Sequence, residues 1–282
     1  MLKILSLGAG VQSTAVLLMS ARGVFPKLDA AIFADTQWEP KAVYEHLDWL
    51  EKEAEKYGIP VHRVTAGNIR EDALISQVRG RKGEGKRWAS IPYYTKTDGP
   101  GEGGQIRRQC TSEYKIKPIE KFIRRELLGL KKGERAKPRL VEAWFGISAD
   151  EMRRVRVSKD RWKINVYPLI GLPGPILSRP YTRALCQAWL DDHYPGRTIS
   201  RSACLGCPYH SNAEWRGLRM GDQEEWQDTV EFDRKMRHCG GMKDEMFLHR
   251  SRLPLDEVDL RNAEDMGQEN LFENECEGMC GV

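Results

Sequence analysis

LKILSLGAGVQST, residues Leu2–Thr14, runs from an apolar segment through two glycines into a stretch of helical spacing. Leu2 to Leu7 reads as a β-strand closed by Gly8, and Gln12 to Ala21 carries Val16, Leu17 and Met19 at helical intervals. The alternation then repeats. AAIFA ends at Asp35, Ala42 to Tyr57 sets Leu47, Leu50 and Ala54 along one side of a helix, and IPVHRVTA follows as a third strand. Strands separated by helices of this length imply parallel βαβ units and a sheet covered on both faces. The fold class predicted is therefore α/β, with a parallel sheet of about five strands flanked by helices on both faces.

Farther along, Gly80 to Gln105 breaks the pattern with glycine and charge, and is expected to be a mobile loop over a site. Trp88, Tyr93 and Tyr94 within it would stack on a base or fold the loop down. A helix is expected over Ser112–Leu128 with Ser112 as its N-cap, a strand in LVEAWFGI ending at Gly146, an extended segment in KINVYPLI, and a helix over Arg179–His193. His46 on a helix and His62 in a strand read as structural.

The chain has 282 residues, 40% hydrophobic and 30% charged, a composition that excludes wholesale disorder and fibrous repeats. No stretch reaches the roughly 18 apolar residues of a membrane helix, and the start lacks a cleavage site, so a cytoplasmic protein without membrane contact is expected. Net charge is only +4, but Arg107 to Arg139 holds twelve Lys or Arg against four Glu, whereas Asp256 onward holds nine acidic residues and one Arg. A basic middle suits an anionic ligand such as a nucleotide, sulfate or RNA; a solvated helix face accounts equally for Lys121 to Lys132. Seven cysteines without a secretory signal argue against a disulfide framework. Cys204 and Cys207 form CxxC, and Cys276 and Cys280 form CxxxC near the end.

The turn Ser6–Thr14 sets two glycines and two hydroxyls between strand and helix. Glycines let the backbone approach an oxyanion, and a helix N-terminus offers unpaired N–H groups and positive dipole. The spacing is neither the triphosphate P-loop nor GxGxxG, so a plain tight turn stands as the alternative.

SLGAGVQST resembles the PP-loop of the adenine-nucleotide hydrolase-like superfamily, in the variant of phosphoadenylyl-sulfate (PAPS) and adenylyl-sulfate (APS) reductases. Further segments follow in that family's order: FADTQWEP (Ala34–Pro40), QCTSEYKIKPI (Gln109–Ile119), WFGISADEMRRVR (Trp144–Arg156) and NVYPLI. The resemblance covers roughly Met1 to His210. It implies a nucleotide-binding domain over 1–197 and a cysteine-bearing extension over 198–282. Ser6, Gly8, Ala9, Gly10, Gln12, Ser13, Thr14, Asp35, Thr36, Lys115, Gly146, Arg153 and Arg156 would face the nucleotide: ATP, APS or PAPS. Gln12 stands where ATP pyrophosphatases carry a magnesium-holding Asp, and a neutral amide is a poorer ligand for that ion. Asp35 could also cap the following helix, and Lys115, Lys117, Arg153, Arg154 and Arg156 could be surface charges.

The same resemblance implies a [4Fe-4S] cluster on Cys110, Cys204 and Cys207. Its fourth position would be open or filled by Cys186, Cys239 or His210, with zinc on Cys204, Cys207 and His210, or plain buried thiols, as alternatives. In the tail, Glu275-Cys276 followed by Gly278 resembles the C-terminal segment whose cysteine attacks the substrate sulfur, which makes Cys276 and Cys280 the candidate nucleophiles. A frayed acidic tail is the alternative there.

The leading expectation is a sulfonucleotide reductase-like enzyme releasing sulfite with a thioredoxin-like reductant. The others are an ATP-dependent [4Fe-4S] sulfurtransferase, which would adenylate a carbonyl of a nucleoside in RNA or DNA and insert sulfur from the open cluster with a sulfur donor as partner, and a non-catalytic nucleotide-binding subunit. Whether a homodimer forms stays open.

Overall fold

The computed structural model describes residues 1–75, 91–96, 103–172, 179–239, 244–261 and 265. The chain divides into two compact units. The first comprises 1–35, 41–66 and 115–202, and the second 36–40, 67–114 and 203–282.

The first unit is built on five strands: β1 (Leu2–Leu7), β2 (Ala30–Asp35), β3 (Val61–Thr65), β5 (Val141–Phe145) and β6 (Lys163–Val166). They form one sheet of order β3-β2-β1-β5-β6, every neighbouring pair parallel. Successive side chains of a strand point to opposite faces, so β1 sends Leu5 and Leu7 into one core and Ile4 into another. The larger core packs α1 (Val11–Ala21), α2 (Lys41–Glu55) and α5 (Arg183–His193) on one face. The smaller holds Ile32, Ile119, Ile123, Val141 and Trp162 and is covered by α4 (Lys117–Phe122). Both faces are covered, as predicted, and the inner strands β1, β2 and β5 are rich in apolar residues for that reason, whereas the edge strand β3 is not.

Some local expectations change. Ser112 lies inside a helical segment that opens as a π-turn over Thr111–Ile116, so it is not the N-cap. The helix expected from Arg179 begins at Arg183, where the Thr182 hydroxyl accepts from the Leu185 amide at 3.2 Å and stops extension toward the N-terminus.

The second unit joins a two-stranded antiparallel sheet, β4 (Tyr94–Lys96) with β7 (Glu245–Phe247), to α3 (Ile69–Ile75), α6 (Asn212–Met220) and α7 (Gln223–Met236). Strand β4 falls inside the expected loop; 76–90, with Trp88, and 97–102 lie outside the described residues. The core gathers Trp38, Tyr93, Tyr114, Trp215, Trp226 and Phe232. Ser211 and Glu214 make a reciprocal capping box for α6, and Asp222 caps α7 through the Glu224 and Glu225 amides. Asp233 is buried and accepts from the Leu248 amide at 2.9 Å, the Leu255 amide at 3.2 Å and the Arg237 guanidinium. One carboxylate thus ties α7 to the chain around β7. No helix among the described residues is long and apolar enough to cross a membrane.

Candidate functional site

In an open parallel sheet the strand order reverses once, and ligands bind beyond the carboxyl ends of the strands at that point. Here the reversal lies between β1 and β5. The glycine turn leaves β1 there, and Gly146 follows β5.

The turn is held by its own residues. Ser13 Oγ accepts from the Gly8 amide at 3.2 Å and donates to the Gly10 carbonyl at 3.2 Å. Gly10 is the N-cap of α1 in extended conformation, and no side chain caps that helix end. The left-handed position belongs to Ala9, at φ 58°, a conformation that costs a non-glycine residue about 1 kcal/mol. Gly8 and Gly10 are not left-handed. A β-carbon on Gly8 would come no closer than 3.6 Å to Ser13 Oγ, and one on Gly10 no closer than 3.7 Å to Ser202. Neither backbone conformation nor packing therefore demands glycine at these two positions. A side chain there would occupy the space in front of the helix end.

Gly146 is different. Its β-carbon would lie 2.6 Å from the Ser13 nitrogen and 2.8 Å from the Gln12 carbonyl carbon, so β5 reaches the turn only because no side chain intervenes. Gln12 spans the same gap: its amide donates to Ser148 Oγ at 3.4 Å and Glu151 Oε2 at 3.2 Å. Ser148 and Glu151 are buried, and Arg154 pairs with Glu151. This latch makes Gln12 a strut between β1 and β5. Sequence reading missed Ser148, Glu151 and Ser202, because nothing local marks a residue whose partner lies more than a hundred positions away.

Thr14 is fully buried, and its hydroxyl meets His46 Nε2 at 3.0 Å. His46 stacks on Trp49 with ring centroids 5.6 Å apart, and Arg197 lies 4.0 Å over Trp49. Burial, reinforced by the Arg197 charge, lowers the His46 pKa to about 4. The unfolded chain takes up a proton near pH 6.5 and the folded one does not until about 4. Unfolding thus binds protons in that window, and stability must fall as the pH falls through it. His46→Gln should flatten that loss in a pH series of thermal midpoints; an unchanged slope would remove His46 from the account. His249 in the second unit, also lowered to about 4 by burial, leaves a residual slope of the same sign.

The remaining predicted contacts of this unit spread around the sheet's carboxyl edge. Ser6 is half-buried in β1, and Asp35 accepts from the Tyr44 hydroxyl at 2.8 Å. The Arg156 amide donates to the Tyr167 hydroxyl at 2.9 Å, while its guanidinium turns back onto the carbonyls of Arg153 (2.6 Å) and Val155 (2.8 Å). Arg153 is exposed, and Lys115 is half-buried in the π-turn.

Thr36 belongs to the second unit with Cys110, Cys204, Cys207, Cys239 and His210. Cys204 Sγ lies 3.2 Å from Thr36 Oγ1 and 3.4 Å from Glu39 Oε1, and Thr36 also donates to Glu39 at 3.0 Å. The Leu205 amide donates to the Trp38 carbonyl at 2.9 Å, which anchors the Cys204–Cys207 knuckle to the 36–40 segment. His210 Nε2 donates to the Cys204 carbonyl at 3.0 Å, leaving only Nδ1, 3.9 Å from Glu214, for any other role. Cys110 and Cys207 both act on the Tyr209 hydroxyl, whose pKa is raised first by burial, with Arg108 opposing; Cys110 and Cys239 act likewise on buried Tyr93. Those thiols share a neighbourhood. Among the described residues, however, no three His, Cys, Asp or Glu side chains converge as a metal site. Cys186 belongs to the first unit, fully buried in its larger core, where burial pushes its thiol up to about 12. That keeps it protonated and apolar. Cys276 and Cys280 lie outside the described residues.

No family model and no curated protein matches the chain. Among solved structures it is similar to the phosphoadenylyl-sulfate (PAPS) reductase of Candida auris in its phosphate complex. Identity is 12% and the TM-score 0.37, over 71% of this chain and 74% of that one. The fold rests on the five parallel strands themselves.

Proposed function

We propose that the first unit binds an adenine nucleotide at the glycine turn and that the chain carries out sulfur chemistry on it, as a sulfonucleotide reductase-like enzyme. The observation that carries this reading is the pair of glycines that neither conformation nor packing requires, set before an uncapped helix end at the sheet's reversal point. Backbone amides and helix dipole there would receive a phosphate or sulfate group. Gln12, its NH2 held by Ser148 and Glu151, offers magnesium a neutral amide oxygen in place of a carboxylate, which favours APS or PAPS over cleavage of ATP.

In this reading a tail thiolate, from Cys276 or Cys280, attacks the sulfonate sulfur. The sulfur–oxygen bond to the nucleotide breaks, AMP or adenosine 3′,5′-bisphosphate leaves with the electron pair, and the thiol carries the sulfonate. A thiol of a thioredoxin-like partner then releases sulfite and forms a disulfide. Cys110, Cys204 and Cys207 enter as candidate ligands of an iron–sulfur cluster, with zinc as the alternative. The described donors do not converge, so the reaction as proposed uses neither metal. Stoichiometric iron and sulfide in anaerobically purified protein would support the cluster; zinc alone, or no metal, would sink it.

The test is to incubate the protein with ATP, APS and PAPS in parallel and assay sulfite and pyrophosphate. Sulfite from APS or PAPS supports the reading, and pyrophosphate from ATP transfers the site to the sulfurtransferase alternative. Gly10→Ala separates binding from folding. Its β-carbon meets only ordinary contacts, and the loss from alanine being a poorer N-cap than glycine opposes the gain from a stiffer unfolded chain, so stability should change by less than about 1 kcal/mol, while nucleotide affinity falls at least about tenfold. Full affinity in that variant would refute the site.

A further inference from the structure

We propose that the exposed cations of Lys131–Arg139, together with Lys159 and Arg161, form a docking surface for the phosphodiester backbone of a polynucleotide. The segment KKGERAKPR places five cations and one anion in nine residues, and all five cations are exposed. Lys159 and Arg161 are exposed beside them, because the Arg139 amide donates to the Arg161 carbonyl at 2.9 Å. Among the described residues none of these cations has an ion-pair partner. The two local carboxylates are committed elsewhere: Glu134 accepts from the Lys131 amide at 2.8 Å, and Asp160 lies 3.4 Å from Lys163 Nζ.

The surface is held in place. Arg124 donates to the Glu134 carbonyl at 2.9 Å and Arg125 to the Leu130 carbonyl at 2.5 Å, while the Leu2 amide donates to the Leu140 carbonyl at 2.9 Å. Uncompensated like charges fixed together repel one another, and a bound polyanion relieves that repulsion. These cations cannot serve a nucleotide at the glycine turn. They sit where β5 and β6 begin, whereas the turn leaves the other end of β1, about 15–20 Å away at the rise of a strand. The inference therefore stands on its own, apart from the adenine-nucleotide reading.

A lipid surface fits less well, since stable membrane attachment needs an apolar anchor beside the charge. Leu130 and Ala136 beside the charge are half-buried, and the exposed Val157, two residues before Lys159, is one short aliphatic side chain, well below such an anchor. Binding of this kind is directed at phosphates, so it is strongly salt-dependent and carries no base readout.

The test measures binding of a fluorescein-labelled mixed-sequence RNA, a DNA duplex of the same length, and phosphatidylserine-containing vesicles across a salt series. The full chain is expected to bind RNA, DNA or both. K131Q/K132Q/R135Q/K137Q should lower the slope of log affinity against log salt by about 3, at roughly 0.7–0.9 for each phosphate no longer neutralised. K159Q/R161Q should lower it by about 1.5, and K27Q/K52Q, which removes the same charge from exposed sites elsewhere on the unit, should leave it unchanged. Adenine-nucleotide binding should survive in all three. Binding of vesicles but neither nucleic acid, an equal fall in slope in the K27Q/K52Q control, or no binding by the unaltered chain would each overturn the proposal. Loss of adenine-nucleotide binding in Gly10→Ala with polynucleotide binding intact would leave both readings standing separately.

Discussion

Gly146→Ala is expected to destabilise the first unit by about 1–3 kcal/mol and to weaken adenine-nucleotide binding at least about tenfold. The added methyl would sit 2.6 Å from the Ser13 nitrogen and 2.8 Å from the Ser13 α-carbon, against backbone that has no rotamer to change. Either β5 slides outward, disturbing a register in which Ser6 pairs with Phe145, or the first turn of α1 is displaced. Both movements stretch the Gln12 bonds to Ser148 and Glu151 and re-aim the amides that would receive the oxyanion. Denaturant unfolding and calorimetric titration with ATP, APS and PAPS, run on the same preparation, read the two effects together. The contrast with Gly10→Ala gives the result its meaning: steric reasoning makes one glycine structural and the other a matter of access alone. Unaltered stability in Gly146→Ala would mean that the chain leaving β5 does not meet the first turn of α1 as described, and the site would lose its floor.

The sheet was legible because burial on both faces forces near-continuous apolar runs, and LKILSL, AAIFA and LVEAWF carry them. The turn after β1 was legible because glycine is a local signal. Its internal wiring was not. Ser13 and Thr14 read as ligand hydroxyls, yet Ser13 closes the turn on itself and Thr14 is buried on His46, a partner 32 positions away. The helices α6 and α7 had local signals that could have placed them, the capping box at Ser211 and the Asp222 cap. Cys186 illustrates the opposite failure: spacing treats every cysteine alike, and only burial separates this one from Cys110, Cys204 and Cys207.

The knuckle between Cys204 and Cys207 supplies the other large effect, at Gly206. A β-carbon there would come within 2.1 Å of Trp38 Cη2 and 2.4 Å of Cζ3. The indole cannot simply swing away. It is 5% exposed, its N–H donates to Asp228 at 2.8 Å, its ring packs 4.5 Å from Phe232, and Asp228 is pinned from the other side by Arg70 at 2.7 Å. Moving the ring breaks its charge-assisted hydrogen bond to Asp228, whose two oxygens keep Arg70 as partner; holding it requires the knuckle to move, and with it the Leu205 amide bond to Trp38 and the Cys204 contacts with Thr36 and Glu39. Gly206→Ala should therefore cost about 2–4 kcal/mol in the second unit. Trp38→Phe removes the colliding ring atoms, so in that background the same alanine should cost far less, a coupling that a double-mutant cycle isolates. Additive effects would mean that Trp38 does not fill the hollow over Gly206. The knuckle would then be held to the 36–40 segment by the Leu205 amide and the Cys204 contacts alone, and the positions of its two thiols would no longer follow from the tryptophan that packs against them.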